Sequence, residues 1–310
     1  MTLFAAFVMH LHRLFPTRIL VVSAALLTGS SFALAEPTSD LAQWRAHRLE
    51  RLTAADGWLT LIGLHWLHEG NQAVGAAKTN DVVLAKGPAV LGTIAWDKTS
   101  GKVSLMLEAR VSATVDGQEP KENITFSEDE DKPTLVQVGT LTLQVISRGD
   151  RKALRVKDSA AETRAHFAGL EYFTEDRAWK IEATWESFSP PRTLRIQNVV
   201  GTVSPEAVPG KAIFEYKGKT YELWPIQETG DDSLFFIFSD QTSGVETYGA
   251  GRFLFTDPPK NGKVTLDFNR AISPPCAFTA FATCLLPPPQ NRLPIRVTAG
   301  EKTPAGATHP

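Results

Sequence analysis

Between Ala73 and Val156 the chain is cut into short runs of β-branched and alternating residues, each stopped by a turn signal. The runs are Val82–Leu84, Val90–Trp96, Val103–Leu107, Val111–Val115, Thr134–Val138, Leu141–Ser147 and Ala153–Val156, and Asp116-Gly117 and Gly149-Asp150 are among the stops. Runs so short and so regularly spaced predict antiparallel sheets that close on one another as a sandwich or a partly closed barrel. Upstream, Leu41, Trp44, Leu49 and Leu52 recur at helical spacing behind the candidate caps Ser39 and Asp40. Asp40–Thr53 is therefore expected to be an amphipathic helix, with Arg45, Arg48, Glu50 and Arg51 on its other side. Ala55-Asp56-Gly57 ends it. The apolar run Trp58–Leu67 (WLTLIGLHWL) is expected to be a buried strand with a short helical or turn extension.

Downstream, His166–Phe173 and Trp179–Phe188 resume the β pattern as far as Pro190-Pro191, and Leu194–Val203 follows. Ile213–Tyr216 and Thr220–Trp224 flank Lys217-Gly218-Lys219 as a hairpin, and Leu234–Phe238 is apolar enough for a central strand. The stretch Leu266–Lys302 then gathers both cysteines, six of the twenty prolines, and the pairs Asn269-Arg270 and Asn291-Arg292. Pro274-Pro275 and Pro287-Pro288-Pro289 cannot continue a ladder, because proline fixes φ and lacks the N–H donor, so this loop has a set shape. Ile295–Thr298 reads as one more strand after it. The expected fold is mainly β: an N-terminal amphipathic helix, sandwich-like or barrel-like antiparallel sheets, and a proline-rich C-terminal loop. A rigid loop carrying polar residues is where function tends to sit.

Residues 1–35 read as a secretory signal peptide. Arg13 and Arg18 precede the apolar run Ile19–Thr28, and Ala33-Leu34-Ala35 is a small-x-small cleavage pattern that places the mature start at Glu36. The expected location is the periplasm or the extracellular space. The run is too short to span a bilayer comfortably, and no later stretch approaches ~20 apolar residues, so no transmembrane segment is expected after cleavage. Cleavage would remove two of the 32 basic residues and none of the 34 acidic ones, moving the formal charge from −2 to −4. That balance argues against general nucleic-acid binding, which would want a basic stripe. The expected organisation is a helix over 36–57, a β subdomain over 58–160, a C-terminal β subdomain over 161–302 and a disordered tail over 303–310. In an exported protein the two cysteines invite one disulfide, Cys276 to Cys284, worth roughly 2–3 kcal/mol by loop closure. Two inert buried thiols, or a metal or redox role, are the alternatives. Their spacing is not the tight C-x-x-C of zinc sites.

Two resemblances stand out. The run VGAAKTNDVVLAKGPAVLGTIAW, with Asn80-Asp81 and the Asp116-Gly117 turn, resembles a forkhead-associated sandwich. The Ser-x-x-His feature that serves phosphothreonine binding in that fold has no match, so the resemblance implies a scaffold. The stretches GDDSLFFIFSDQTSGVETYGAGRFLF (Gly230–Phe255) and DFNRAISPPCAFTAFATCLLPPPQNRLPIRVTAGEK, with DGWLTLIGLHWLHEG and LTLQVISRGDRKALRVKDS further upstream, resemble the bacterial domain-of-unknown-function family numbered 1684. That resemblance implies a mostly β protein and brings no activity with it.

Common catalytic and cofactor signatures are absent: there is no G-x-S-x-G elbow, no P-loop and no G-x-G-x-x-G, and Gly249-Ala250-Gly251 lies between strands rather than opening a helix. No cofactor is expected. His65 and His68 could face one way on a helix as metal ligands, but without H-E-x-x-H they read as partly buried or interfacial histidines. After cleavage the remaining histidines are 47, 65, 68, 166 and 309, so Ser243 or Ser273 has few partners for a triad. A more coherent set is Glu246, Tyr248 and Arg252 against Asp267, Asn269 and Arg270, which antiparallel neighbours could bring face to face, with Asn291 and Arg292 returning nearby. Planar guanidinium groups, a phenol and amides suit a small polar or anionic ligand, of unknown identity, beside the proline loop. Glu246 and Asp267 could instead divide acid and base duties in an envelope hydrolase. The third reading is a structural or interaction module of the cell envelope, in which this polar network only locks the loop.

Overall fold

The structure, a computed structural model, describes residues 40–307 apart from 121, 128, 130 and 228–231. The leader and its cleavage site, Ser39 and His309 lie outside the described residues. The helix α1 spans Asp40–Thr53, the range its spacing predicts. Its inner face differs from the expected one. Leu41 and Leu52 are buried, but Leu49 is exposed, and Arg45 and Arg48 turn inward. The reason is a partner on the other side: the Arg48 guanidinium donates to the fully buried Glu301 carboxylate at 2.8 Å and to Ser273 O at 3.1 Å, while Arg45 stacks 4.3 Å over Tyr172. A single-turn 3₁₀ helix at Trp58–Thr60 then leads into a strand, so the apolar run is the strand with a helical lead-in.

The strands of the first half are β1 (Leu61–Trp66), β2 (Gly70–Gly75), β3 (Val82–Val83), β4 (Gly92–Trp96), β5 (Val103–Leu107), β6 (Thr114–Val115), β7 (Ile124–Thr125), β8 (Val136–Val138), β9 (Leu141–Arg148) and β10 (Arg151–Asp158). They form two five-stranded sheets, β1-β10-β9-β8-β6 and β3-β2-β4-β5-β7, antiparallel except for the short β2–β3 pair. Alternate residues of both sheets, among them Val74, Ile94, Leu105, Val136, Leu143 and Leu154, share one apolar cluster. Two sheets that bury their inner faces in one common cluster make a sandwich.

The second half, after the short helix α2 (Glu162–Ala165), is built from β11 (Lys180–Gln197), β12 (Val203–Tyr216), β13 (Lys219–Leu223), β14 (Leu234–Phe238), β15 (Arg252–Thr256) and β16 (Lys263–Asp267). The order β13-β12-β11-β16 makes one antiparallel sheet, and β14 pairs with β15. Pro190-Pro191 does not close β11, as the sequence suggested. The strand runs through both prolines, and its register against β12 breaks between Ser187 and Arg192, so neither proline has to donate to the ladder there. The antiparallel facing expected between the Glu246–Arg252 stretch and Asp267–Arg270 is also replaced: β16 pairs with β11, and Asn269 lies in a 3₁₀ turn (Phe268–Arg270) beyond the strand. Ile295–Thr298 is not a strand. At the other end, Thr303 donates to Glu246 O and Pro304 is buried, so the chain stays on the body as far as Ala307.

Candidate functional site

The β11–β16 pair makes the floor of a groove. Its register sets Lys180 opposite Asp267, Glu182 opposite Thr265 and Thr184 opposite Lys263. Successive side chains alternate between faces, so these residues share the outer face while Ala183, Val264 and Leu266 go into the second apolar cluster. Lys263 Nζ donates to Thr184 Oγ1 at 3.1 Å. The end of β15 and the turn after it supply further lining from Phe255 to Pro258 together with Lys260, and Arg270 and Asp40 also line the groove. The groove encloses a volume of 610 Å³.

Its polar contents are balanced. Lys180, Lys260, Lys263 and Arg270 face Asp40, Glu182, Asp257 and Asp267. Two of these are held by their neighbours. Asp267 Oδ1 accepts from Asn269 N at 3.2 Å and Asn269 Nδ2 at 3.1 Å, which fixes the carboxylate at the strand end. Arg270 is ion-paired with Asp40 on α1, lies 3.5 Å from Asp267 Oδ2, and sits 5.9 Å over the Trp44 ring. Phe255 contributes an apolar wall: it is 52% exposed, and it stacks on Phe235 with ring centroids 4.5 Å apart and planes within 5°.

The other polar residues singled out in the sequence go elsewhere. Arg252 is 1% exposed, paired to the buried Asp240, and donates to Val297 O at 2.9 Å and to Ala299 O. It thereby takes the Val297 carbonyl, which a strand at Ile295–Thr298 could have given to a ladder. Burial pulls the guanidinium below its ordinary pKa, opposed by the Asp240 charge beside it. Asn291 is equally buried; its Oδ1 accepts from Trp224 N at 2.7 Å and its Nδ2 donates to Trp224 O and Ile237 O. Tyr248 donates to Cys276 O at 3.0 Å, and burial followed by the neighbouring thiols pushes its phenol up. Asn269 clasps Asp176 N and O as well as Asp267. Gly251, at φ +93°, lets the loop come in: a Cβ there would stand 2.5 Å from Phe238 O and 2.6 Å from Pro287.

Among the described residues no disulfide is shown between Cys276 and Cys284, the pair the sequence suggested. Both are buried, and Cys276 N donates to Cys284 Sγ at 3.2 Å, so the sulfur caps the 3₁₀ turn Pro275–Ala277 instead of bonding across it. Hydrogen bonding between the thiols lowers Cys276 and raises Cys284, with burial adding to the latter. Glu246 is ion-paired with Arg296, outside the groove lining, and Arg292 is exposed. His65 lies on β1 and His68 just after it, and among the described residues no group of three or more His, Cys, Asp or Glu side chains could hold a metal ion. The structure thus brings Asp267 and Arg270 together at the groove and leaves Tyr248, Arg252, Asn269 and Asn291 out of its lining, buried among backbone partners. Sequence reasoning missed Lys180, Glu182, Lys263 and Phe255. The signal was alternation: charged residues at 180 and 182 and again at 263 and 267 mark the wet face of two strands.

This is a mainly β chain with a frame of buried polar clasps and an open groove at a sheet edge. Residues 165–302 match a family described as a protein of unknown function, DUF1684. The chain is also similar, at 32% identity over 45% of this chain and 79% of the other, to an uncharacterized protein of Haloarcula marismortui solved by solution NMR, with a TM-score of 0.39. No curated protein matches. Among the described residues no helix is long and apolar enough to cross a membrane.

Proposed function

We propose that the protein binds a small polar ligand in the β11–β16 groove. The observation that carries this reading is the groove itself: 610 Å³ on a rigid strand pair, lined by as many cations as carboxylates, Asp267 and Arg270 among them. A recess of this size with a few oriented polar groups suits a metabolite. The hydrolase reading has less support, because of its two carboxylates Glu246 is committed to Arg296 and only Asp267 lines the groove. Thermal melting against a metabolite panel tests the proposal. At least one compound raises the melting temperature, and Arg270→Ala or Lys263→Ala removes that response while leaving the unliganded melt within a few degrees. A response that survives both substitutions would move the site elsewhere. On the strength of the leader we propose that the protein is exported, and N-terminal sequencing of the mature chain beginning at Glu36 is the expected result.

A further inference from the structure

We propose that the groove takes a sugar ring carrying a charged substituent, and that Phe255 is its stacking platform; this rests on the binding reading above. Three features of the groove point the same way. The first is Phe255. It is 52% exposed and lines the groove. Its ring is held by the parallel Phe235 ring 4.5 Å away, so it is a fixed flat surface rather than a loose side chain. The second is the floor. In the same groove, Lys180–Asp267 and Glu182–Thr265 set donors and acceptors side by side along two strands. A pyranose has this same division: an apolar face of axial C–H groups, and a rim of hydroxyls that each both donate and accept. The electron-rich face of the aromatic ring attracts the polarised C–H groups, as it attracts other partial positive charge. The third is the charge balance. A simple anion would gain from Lys180, Lys263 and Arg270 but be repelled by Glu182, Asp257 and Asp267. A neutral rim of hydroxyls uses both signs, and one amino or carboxyl substituent can pair with one end of the groove.

An acyclic metabolite has no face to lay on Phe255. A planar heterocycle could stack there, but it would leave most of the charged floor without partners. The test is chemical-shift mapping on isotope-labelled full-length protein. The sugar probes are glucose, glucosamine, glucuronic acid and their β-1,4-linked dimers; sorbitol, succinate and aspartate are acyclic controls, and adenosine is a planar one. The expected result is that at least one charged ring sugar shifts Phe255, Thr265 and Lys180 together. Phe255→Leu, which keeps an apolar side chain but loses the flat ring, weakens that binding at least tenfold, and Phe255→Trp retains it. Sugar binding unchanged in Phe255→Leu would overturn the proposal. So would acyclic compounds or adenosine shifting the groove when no sugar does, an outcome that leaves the wider binding reading standing. If no probe of any class reaches the groove, both readings fall.

Discussion

A guanidinium has five donors that can hold a ligand or hold the chain, and at Arg252 burial decides for the chain. With Asp240 on one side and the carbonyls of Val297 and Ala299 on the other, it pins the C-terminal segment to the β14–β15 hairpin. Arg252→Ala strands the buried Asp240 charge and frees two carbonyls, so a loss of roughly 3–5 kcal/mol is expected in chemical denaturation. A loss below about 1 kcal/mol would be typical of a surface pair and would contradict that role. His65 gives a pH signature. Burial holds its imidazole below the ordinary value. The unfolded chain therefore takes up the proton first, and stability present above about pH 6.5 is lost as pH falls toward the lower folded value. In His65→Gln the drop in denaturation midpoint between neutral and mildly acid pH should shrink; an unaltered drop would assign it to other groups. The cysteines are as direct to test. Unfolding under an alkylating reagent without reductant should label both thiols, whereas an unlabelled chain lighter by two hydrogens would mean that they are bonded.

At the scale of elements, α1 was legible because its apolar spacing and its stop at Ala55-Asp56-Gly57 are local signals. Its inward arginines were not, because Glu301 lies 253 residues from Arg48 along the chain. The same divide runs through the proline loop. That Pro274-Pro275 and Pro287-Pro288-Pro289 would break any ladder follows from proline alone. That Asn291 would clamp Trp224 and Ile237, and Arg252 the carbonyls beyond, depends on which strand arrives alongside. Asn291→Ala should accordingly cost roughly 2–3 kcal/mol, since it leaves buried backbone groups of Trp224 and Ile237 unpaired. Ligand binding at the groove should persist wherever the variant still folds. Limited proteolysis of that variant should cut first within 285–297, and protection there equal to the parent would show that the clamp is dispensable. The continuous β11 was missed for a related reason: a register break at Ser187/Arg192 accommodates prolines that a regular ladder would exclude.

For the whole molecule, the first half is a sandwich of two sheets whose inner faces share one apolar cluster. The second half combines a sheet with an open outer face and a loop that is tied down. The mainly β character and the rigid loop could be read from turn spacing and prolines. The groove could not, because it arises from pairing β16 with β11 and from the β15 turn folding beside them. The residues with the most suggestive chemistry, Arg252, Tyr248, Asn269 and Asn291, became the frame, and plain strand residues such as Lys180 and Lys263 came to line the opening. That division is the central claim, and one measurement addresses it directly: a structure of the protein soaked with the compound that most raises its melting temperature. The compound is expected over the β11–β16 floor, between Phe255 and Arg270, with Arg252 and Asn291 unmoved. A compound bound among Tyr248, Arg252 and the cysteines, with the C-terminal segment displaced, would contradict it.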